Sequence, residues 1–270
     1  MRTVGPALLV CLSALAASVI VAVVPAPADA GAWTREPGNL QVITTVGRRG
    51  EPFRAGEDDS GVQTDTMQFY AEYGLIEGLT VGAKFWTDIA ASDPGVGSAA
   101  AGLFVRKRLW RTDTGQVASV QAGALAPVES YLNEEFGRSK PFSTVEYSLR
   151  GLHGKSWWGD WGSAFVSTEA GYQLRLEGRP DEIRVDVTAG IRPFDCCLAM
   201  LGVYGLYPVH EDLTDSSLRL APSLGWQIRR PDDGDPDRRP STIQIGLIHD
   251  LLQSGDGFGY FLGLWQEFQF

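Results

Sequence analysis

Residues 258–270 read F-G-Y-F-L-G-L-W-Q-E-F-Q-F and alternate with a period of two. Phe258, Tyr260, Leu262, Leu264, Phe268 and Phe270 share one side. Gly259, Phe261, Gly263, Trp265, Glu267 and Gln269 share the other, and only Gln266 interrupts the apolar side. Successive side chains of a β-strand point to opposite faces, so this spacing predicts a strand. A long strand with one apolar face is an aggregation hazard as a bare edge in water. It needs a partner along its length, and its apolar face needs a cover other than water.

The same alternation recurs upstream between clusters of Gly, Pro and Asp. Segments 40–47, 63–73, 79–86, 99–108, 116–125, 142–150, 163–176, 182–192, 198–207, 217–229 and 242–248 join 258–270 to make twelve predicted strands. Segment 163–176 sets Ala164, Val166, Ala170, Tyr172, Leu174 and Leu176 against Phe165, Ser167, Glu169, Gly171, Gln173 and Arg175. Segment 198–207 is apolar on both sides, which leaves its facing open. The stretch 151–162, with Trp157, Trp158 and Trp161, reads as a long connection placing His153 in a turn, and 231–240 as a charged one.

The N-terminus has the form of an export signal. Arg2 precedes an apolar run from Ala7 to Val24, and Ala28 and Ala30 supply a small-x-small cleavage pattern. Residues 1–30 are expected to leave, and the mature domain to run from Gly31 to Phe270. No later apolar run approaches a spanning helix, so the mature chain either stays in water or spans a membrane as strands. A mean hydropathy of −0.08 does not separate these, because barrel strands alternate between lipid and lumen. About twenty residues per strand and connection suffice for the ~9–11 residues that cross a bilayer at a tilt. The expected fold is all-β: a transmembrane, antiparallel, up-and-down β-barrel of about twelve strands, monomeric, with both ends on the periplasmic side.

The formal charge of −10 disfavours a nucleic-acid partner. Cys11 leaves with the signal, and the adjacent Cys196 and Cys197 carry no metal-binding or CxxC spacing. No cofactor and no metal is implied. A lipid-modifying enzyme would need Ser, His and an orienting acid together. His249 and Asp250 with Ser254, or His210 with Asp212 and Ser216, are the available sets; neither has a recognisable spacing, so no catalytic residue is assigned.

The polar side of the alternation carries charges of both signs. Lys84, Arg106, Arg108, Glu169, Arg175, Arg184, Asp186 and Arg219 are the candidate lumen or constriction residues, the arginines favouring anions. The competing reading is that these charges form wall ion pairs. The same side carries glycine repeatedly, at Gly82, Gly102, Gly123, Gly171, Gly190, Gly225, Gly246, Gly259 and Gly263. Glycine weakens a strand but makes room on the concave face of a tightly curved sheet, so a crowded lumen is expected.

A terminal aromatic strand ending on Phe270, with Phe268 and Tyr260, resembles that of bacterial outer-membrane β-barrels. The resemblance implies that this strand closes the barrel and is read by the assembly machinery, with outer-membrane lipid and lipopolysaccharide as surroundings. Three stretches resemble a family of proteobacterial barrels labelled as transporters of the meta-cleavage pathway for phenols: Q-F-Y-A-E-Y-G-L at 68–75 with L-T-V-G-A at 79–83, G-S-A-F-V-S-T-E-A-G-Y at 162–172, and D-E-I-R-V-D-V-T-A-G-I-R-P at 181–193. That likeness implies passage of small, hydrophobic or aromatic solutes and transfers no binding residue. The expected function is a passive channel or transporter for small solutes, the alternative a closed structural or surface-interaction barrel.

Overall fold

Each strand of the chain pairs with its sequence neighbours, and the last returns to the first. The computed structural model describes residues 31–49, 64–90, 97–131, 145–176, 180–194, 196–209, 216–229, 241–252 and 258–270. These form β1 (Asn39–Arg49), β2 (Thr64–Ile76), β3 (Leu79–Ala90), β4 (Gly97–Arg111), β5 (Gln116–Tyr131), β6 (Glu146–Gly159), β7 (Gly162–Arg175), β8 (Glu182–Phe194), β9 (Cys197–Pro208), β10 (Ser217–Arg229), β11 (Ser241–Asp250) and β12 (Phe258–Gln269). All neighbours are antiparallel and the sheet is a closed twelve-stranded barrel. β12 closes it on β1 in an unbroken register from Asn39 opposite Gln269 to Arg49 opposite Gly259. The terminal residue joins the seam: the Phe270 amide donates to the Gly38 carbonyl at 2.9 Å. Phe268 lies opposite Leu40 and Tyr260 opposite Arg48 on the outer face. The aggregation-prone edge is thus removed by closure.

The predicted faces hold throughout. Apolar members of the alternation point outward, with Leu103 70%, Leu224 64% and Ile245 62% exposed, and they continue around the wall through Leu149, Leu262 and Leu201. A continuous apolar belt of this kind far exceeds the isolated patches a water-soluble surface carries, and it suits hydrocarbon. The barrel is therefore a transmembrane one.

Strand ends differ from the sequence reading in one informative place. The stretch 151–162 is no connection: β6 runs on to Gly159, paired with β7 down to Gly162, and only Asp160 and Trp161 make the turn. Gly151 and Gly154 look like breakers locally, but hydrogen bonds from both flanking strands hold the backbone extended. His153 accordingly sits in a strand, its ring 6.0 Å from that of Trp110. The open facing of β9 is settled by register as well: Leu198 lies opposite Gly225 and Met200 opposite Gly190, which turns both side chains inward.

The two ends of the barrel are unequal. The β2–β3, β4–β5 and β6–β7 turns are tight, with positive φ at Gly78, Gly115 and Gly162. Connections at the opposite end are mostly longer, the first spanning the gap between Arg49 and Thr64, while the gap between Arg229 and Ser241 is the long one at the tight-turn end. The N-terminal segment enters at the tight-turn end, which in bacterial barrels is the periplasmic one.

Candidate functional site: the lumen and its N-terminal segment

Residues 31–38 precede β1 and fold back inside the barrel. Trp33, buried, packs with Val117, Leu152, Phe165 and Leu198, and its ring meets Phe165 edge-on at 6.5 Å. The Ala32 amide donates to Ser167 Oγ at 3.2 Å, and Ser119 Oγ donates to the Ala32 carbonyl at 2.6 Å. The segment therefore completes the larger of two buried apolar clusters, the other joining Ala100, Leu125 and Trp86. None of this was read from the sequence, where nothing before Leu40 carried a strand pattern.

Glycine makes the room. A Cβ at Gly154 would lie 2.5 Å from the Trp33 ring, at Gly82 2.1 Å from Phe104, at Gly190 2.3 Å from Phe165 and at Gly246 2.3 Å from Phe261. Four inward rings thus lie flat across glycines of neighbouring strands or, for Trp33, of the wall beside the inserted segment. The expected crowding is met by these ring-on-glycine contacts.

Below the centre, a buried ion network fastens the inserted segment. Arg35 Nε pairs with Glu72 at 3.0 Å, its amide donates to Thr80 Oγ1 at 2.8 Å, and its Nη2 donates to Gln41 Oε1 at 2.5 Å. Glu72 also pairs with Arg106 Nη1 at 2.7 Å and accepts from the Tyr70 hydroxyl. Arg106 is only 3% exposed and engages every nitrogen: Nε and Nη2 donate to Gln121 Oε1 at 3.1 and 2.9 Å, Nη2 to the Tyr70 oxygen at 3.2 Å, and Nη1 to the Trp33 carbonyl at 3.0 Å. Charges taken this far out of water require such complete pairing. Arg106 is consequently a structural anchor for residues 33–35, and not an open selectivity group.

Above this network lies a cavity of about 510 Å³. Of the sequence candidates, Lys84, Arg106, Glu169, Arg184, Asp186 and Arg219 line it; Arg108 and Arg175 do not. Arg108 sits at the tight-turn mouth, paired with Glu77 at 2.8 Å. Arg175 is held in the wall by Glu182 at 2.6 Å and by Glu146 at 3.0 Å, the latter contact by charge and not by a hydrogen bond. Both lie on the predicted inward face, but alternation gives the face and not the height along the barrel. Arg219 Nε approaches Asp250 at 3.4 Å, and Asp250 also accepts from Ser217 Oγ at 2.8 Å.

Four of the remaining charges lie side by side on the adjacent strands β6, β7 and β8. Arg184 Nε pairs with Asp186 at 2.5 Å, and Arg150 Nη1 reaches Glu169 at 3.5 Å. Lys84 lies opposite Tyr70 and Gly102 in register and makes no hydrogen bond or ion pair with any described residue. Arg150 was the last residue of the predicted segment 142–150, whose alternation with Glu146 and Ser148 already turns it inward, yet it was not among the named candidates. The apolar part of the lining comes from Ile43, Met200, Ile248 and Phe261.

Only parts of the two enzyme sets lie among the described residues. His249 is exposed and meets the Phe258 ring at 6.4 Å, while Asp250 points inward, so the adjacent pair faces opposite sides of the wall. His210, Asp212 and Ser254 lie outside the described residues. Cys196 and Cys197 are not joined in a disulfide, and their Sγ atoms lie 3.0 Å apart.

No protein-family model matches the chain, and no curated protein matches it. Solved structures do. An outer membrane channel from Pseudomonas putida F1 superposes with a TM-score of 0.59 at 10% identity, covering 90% of this chain and 100% of that one. The KdgM porin superposes with a TM-score of 0.50 at 7% identity, covering 85% of this chain and 99% of its own. At such identities the likeness is one of fold: a closed antiparallel barrel, as the pairing here shows directly.

Proposed function

We propose that this protein is an outer-membrane barrel acting as a passive channel for small solutes. The observation that carries the reading is a polar, charge-lined cavity inside a closed, lipid-belted wall, narrowed on one side by the inserted N-terminal segment. Fixed charges around a water-filled path select solutes. Shared architecture with an outer membrane channel and a porin supports the same reading. The surroundings are outer-membrane lipid and lipopolysaccharide, and the assembly machinery engages the strand ending in Phe270. The phenol-pathway likeness points to hydrophobic or aromatic solutes, and the Met200, Ile248 and Phe261 side of the cavity supports it.

The test is single-channel conductance of the refolded mature chain in a planar bilayer. Reproducible ohmic steps are expected. A variant lacking residues 31–36 should conduct severalfold more, because the segment that fills the tight-turn half is gone. A folded barrel that stays silent with and without those residues would replace the channel reading with that of a closed structural barrel.

A further inference from the structure

The cations of the upper lumen are not equivalent. Arg106 and Arg35 are consumed by Glu72, and Arg219 has Asp250. Lys84, Arg150 and Arg184 come from three non-adjacent strands, β3, β6 and β8, and line the same cavity. Arg150 and Arg184 have carboxylate partners in Glu169 and Asp186. Lys84 differs: its three ammonium donors have no hydrogen-bond or ion-pair partner among the described residues.

The wall holds these side chains in place. The Lys84 stem crosses Gly102, where a Cβ would lie 3.2 Å from Lys84 Cε; the Arg150 stem crosses Gly171, where it would lie 2.6 Å from Arg150 Cγ. Both stems are laid against the wall by the absence of a side chain beneath them, and their heads point into the cavity they line. Like charges confined together at reduced dielectric repel, and an anion between them removes that repulsion.

We propose that Lys84, Arg150 and Arg184 form a binding site for a small amphiphilic monoanion, a carboxylate with an aromatic or short aliphatic body. One ammonium without an ion pair matches one carboxylate. The opposite arc of the cavity, from β9, β11, β12 and β1, presents Met200, Ile248, Phe261 and Ile43 to the apolar body. A volume of about 510 Å³ lies within the range of small-molecule pockets. The proposal deepens the channel reading by naming the class of solute that the same lumen holds, yet binding itself needs no open pore.

Calorimetric titration of the refolded mature protein in detergent tests it, with benzoate, neutral benzamide and inorganic phosphate as probes. Benzoate is expected to bind, benzamide and phosphate much more weakly. Lys84→Gln should lower benzoate affinity at least about tenfold, the loss of one charge-assisted contact. Arg150→Gln should act in the same direction, and provides the measurement should Lys84→Gln not refold. Arg108→Gln, at the remote mouth, should bind as the parent does. Equal binding of benzamide, or affinity unchanged in both Lys84→Gln and Arg150→Gln, would overturn the site; phosphate binding as tightly as benzoate would remove the apolar half of the proposal. Benzoate binding in a barrel that does not conduct would leave the site standing and refute the channel. Conductance without benzoate binding would do the reverse.

Discussion

Arg106 and Lys84 lie on adjacent strands of one lumen, both on the inward face, and their surroundings are opposite. Arg106 is buried in the tight-turn half, where every guanidinium nitrogen meets a partner and one of those partners is the backbone of the inserted segment. Lys84 stands in the open half with no partner at all among the described residues. The lower region uses charge to hold a peptide in place; the upper region leaves charge unspent. An inward cation is therefore a structural element or a ligand-facing one according to what the chain itself has already placed beside it.

The largest effect is expected from removing the carboxylate that serves both anchoring arginines. Glu72→Ala leaves Arg106 buried without its ion-pair partner and Arg35 with Glu267 at 3.9 Å, and should destabilise the folded barrel by about 3–5 kcal/mol. Denaturant midpoints read this, and fluorescence of Trp33 reports whether the segment leaves its pocket. A midpoint unchanged from the parent would mean that the lower network does not fasten the barrel. A smaller effect follows from the ring-on-glycine contacts. Gly82→Val drives a side chain into Phe104 and should cost about 1–3 kcal/mol, an overpacking penalty. Adding Phe104→Ala should recover part of that loss; no recovery would show that the glycine serves the backbone and not the ring. At the small end, Arg108→Ala breaks a pair whose partner Glu77 is largely exposed. It should change stability by about 0–1 kcal/mol and leave ion selectivity where it was. A clear selectivity change in Arg108→Ala, measured as reversal potential in a salt gradient, would extend the functional region to the mouth and erase the contrast between the two halves.

Much of the wall was legible because it obeys a local rule. Period-two alternation placed Lys84, Arg106, Glu169, Arg184, Asp186 and Arg219 inward, and all six line the cavity. The glycine pattern on the same face announced crowding before any ring was located. What the rule lacks is height and partnership. Arg108 and Arg175 share the inward face but lie outside the cavity, each in its own ion pair. The rule also stops at apparent breakers: Gly151 and Gly154 end the predicted strand at Arg150, and neighbouring hydrogen bonds continue it to Gly159. The inserted segment was out of reach for a different reason. Its contacts join residues 135 apart, as from Ala32 to Ser167, or 73 apart, as from Arg106 to Trp33, and no local pattern in residues 31–38 encodes them.

The sequence by itself determined a strand-built transmembrane wall, which side of each strand meets lipid, and closure through the segment ending in Phe270. Those features follow from the fixed two-residue repeat of a pleated strand and from the need to cover apolar faces without water. Only the tertiary structure decided that the N-terminal segment fills half the lumen, that Arg106 is spent in holding it, and that Lys84 is not. Pairing between charges is a property of distance across the barrel, set by the register of twelve strands at once, and that information is not carried by any one of them.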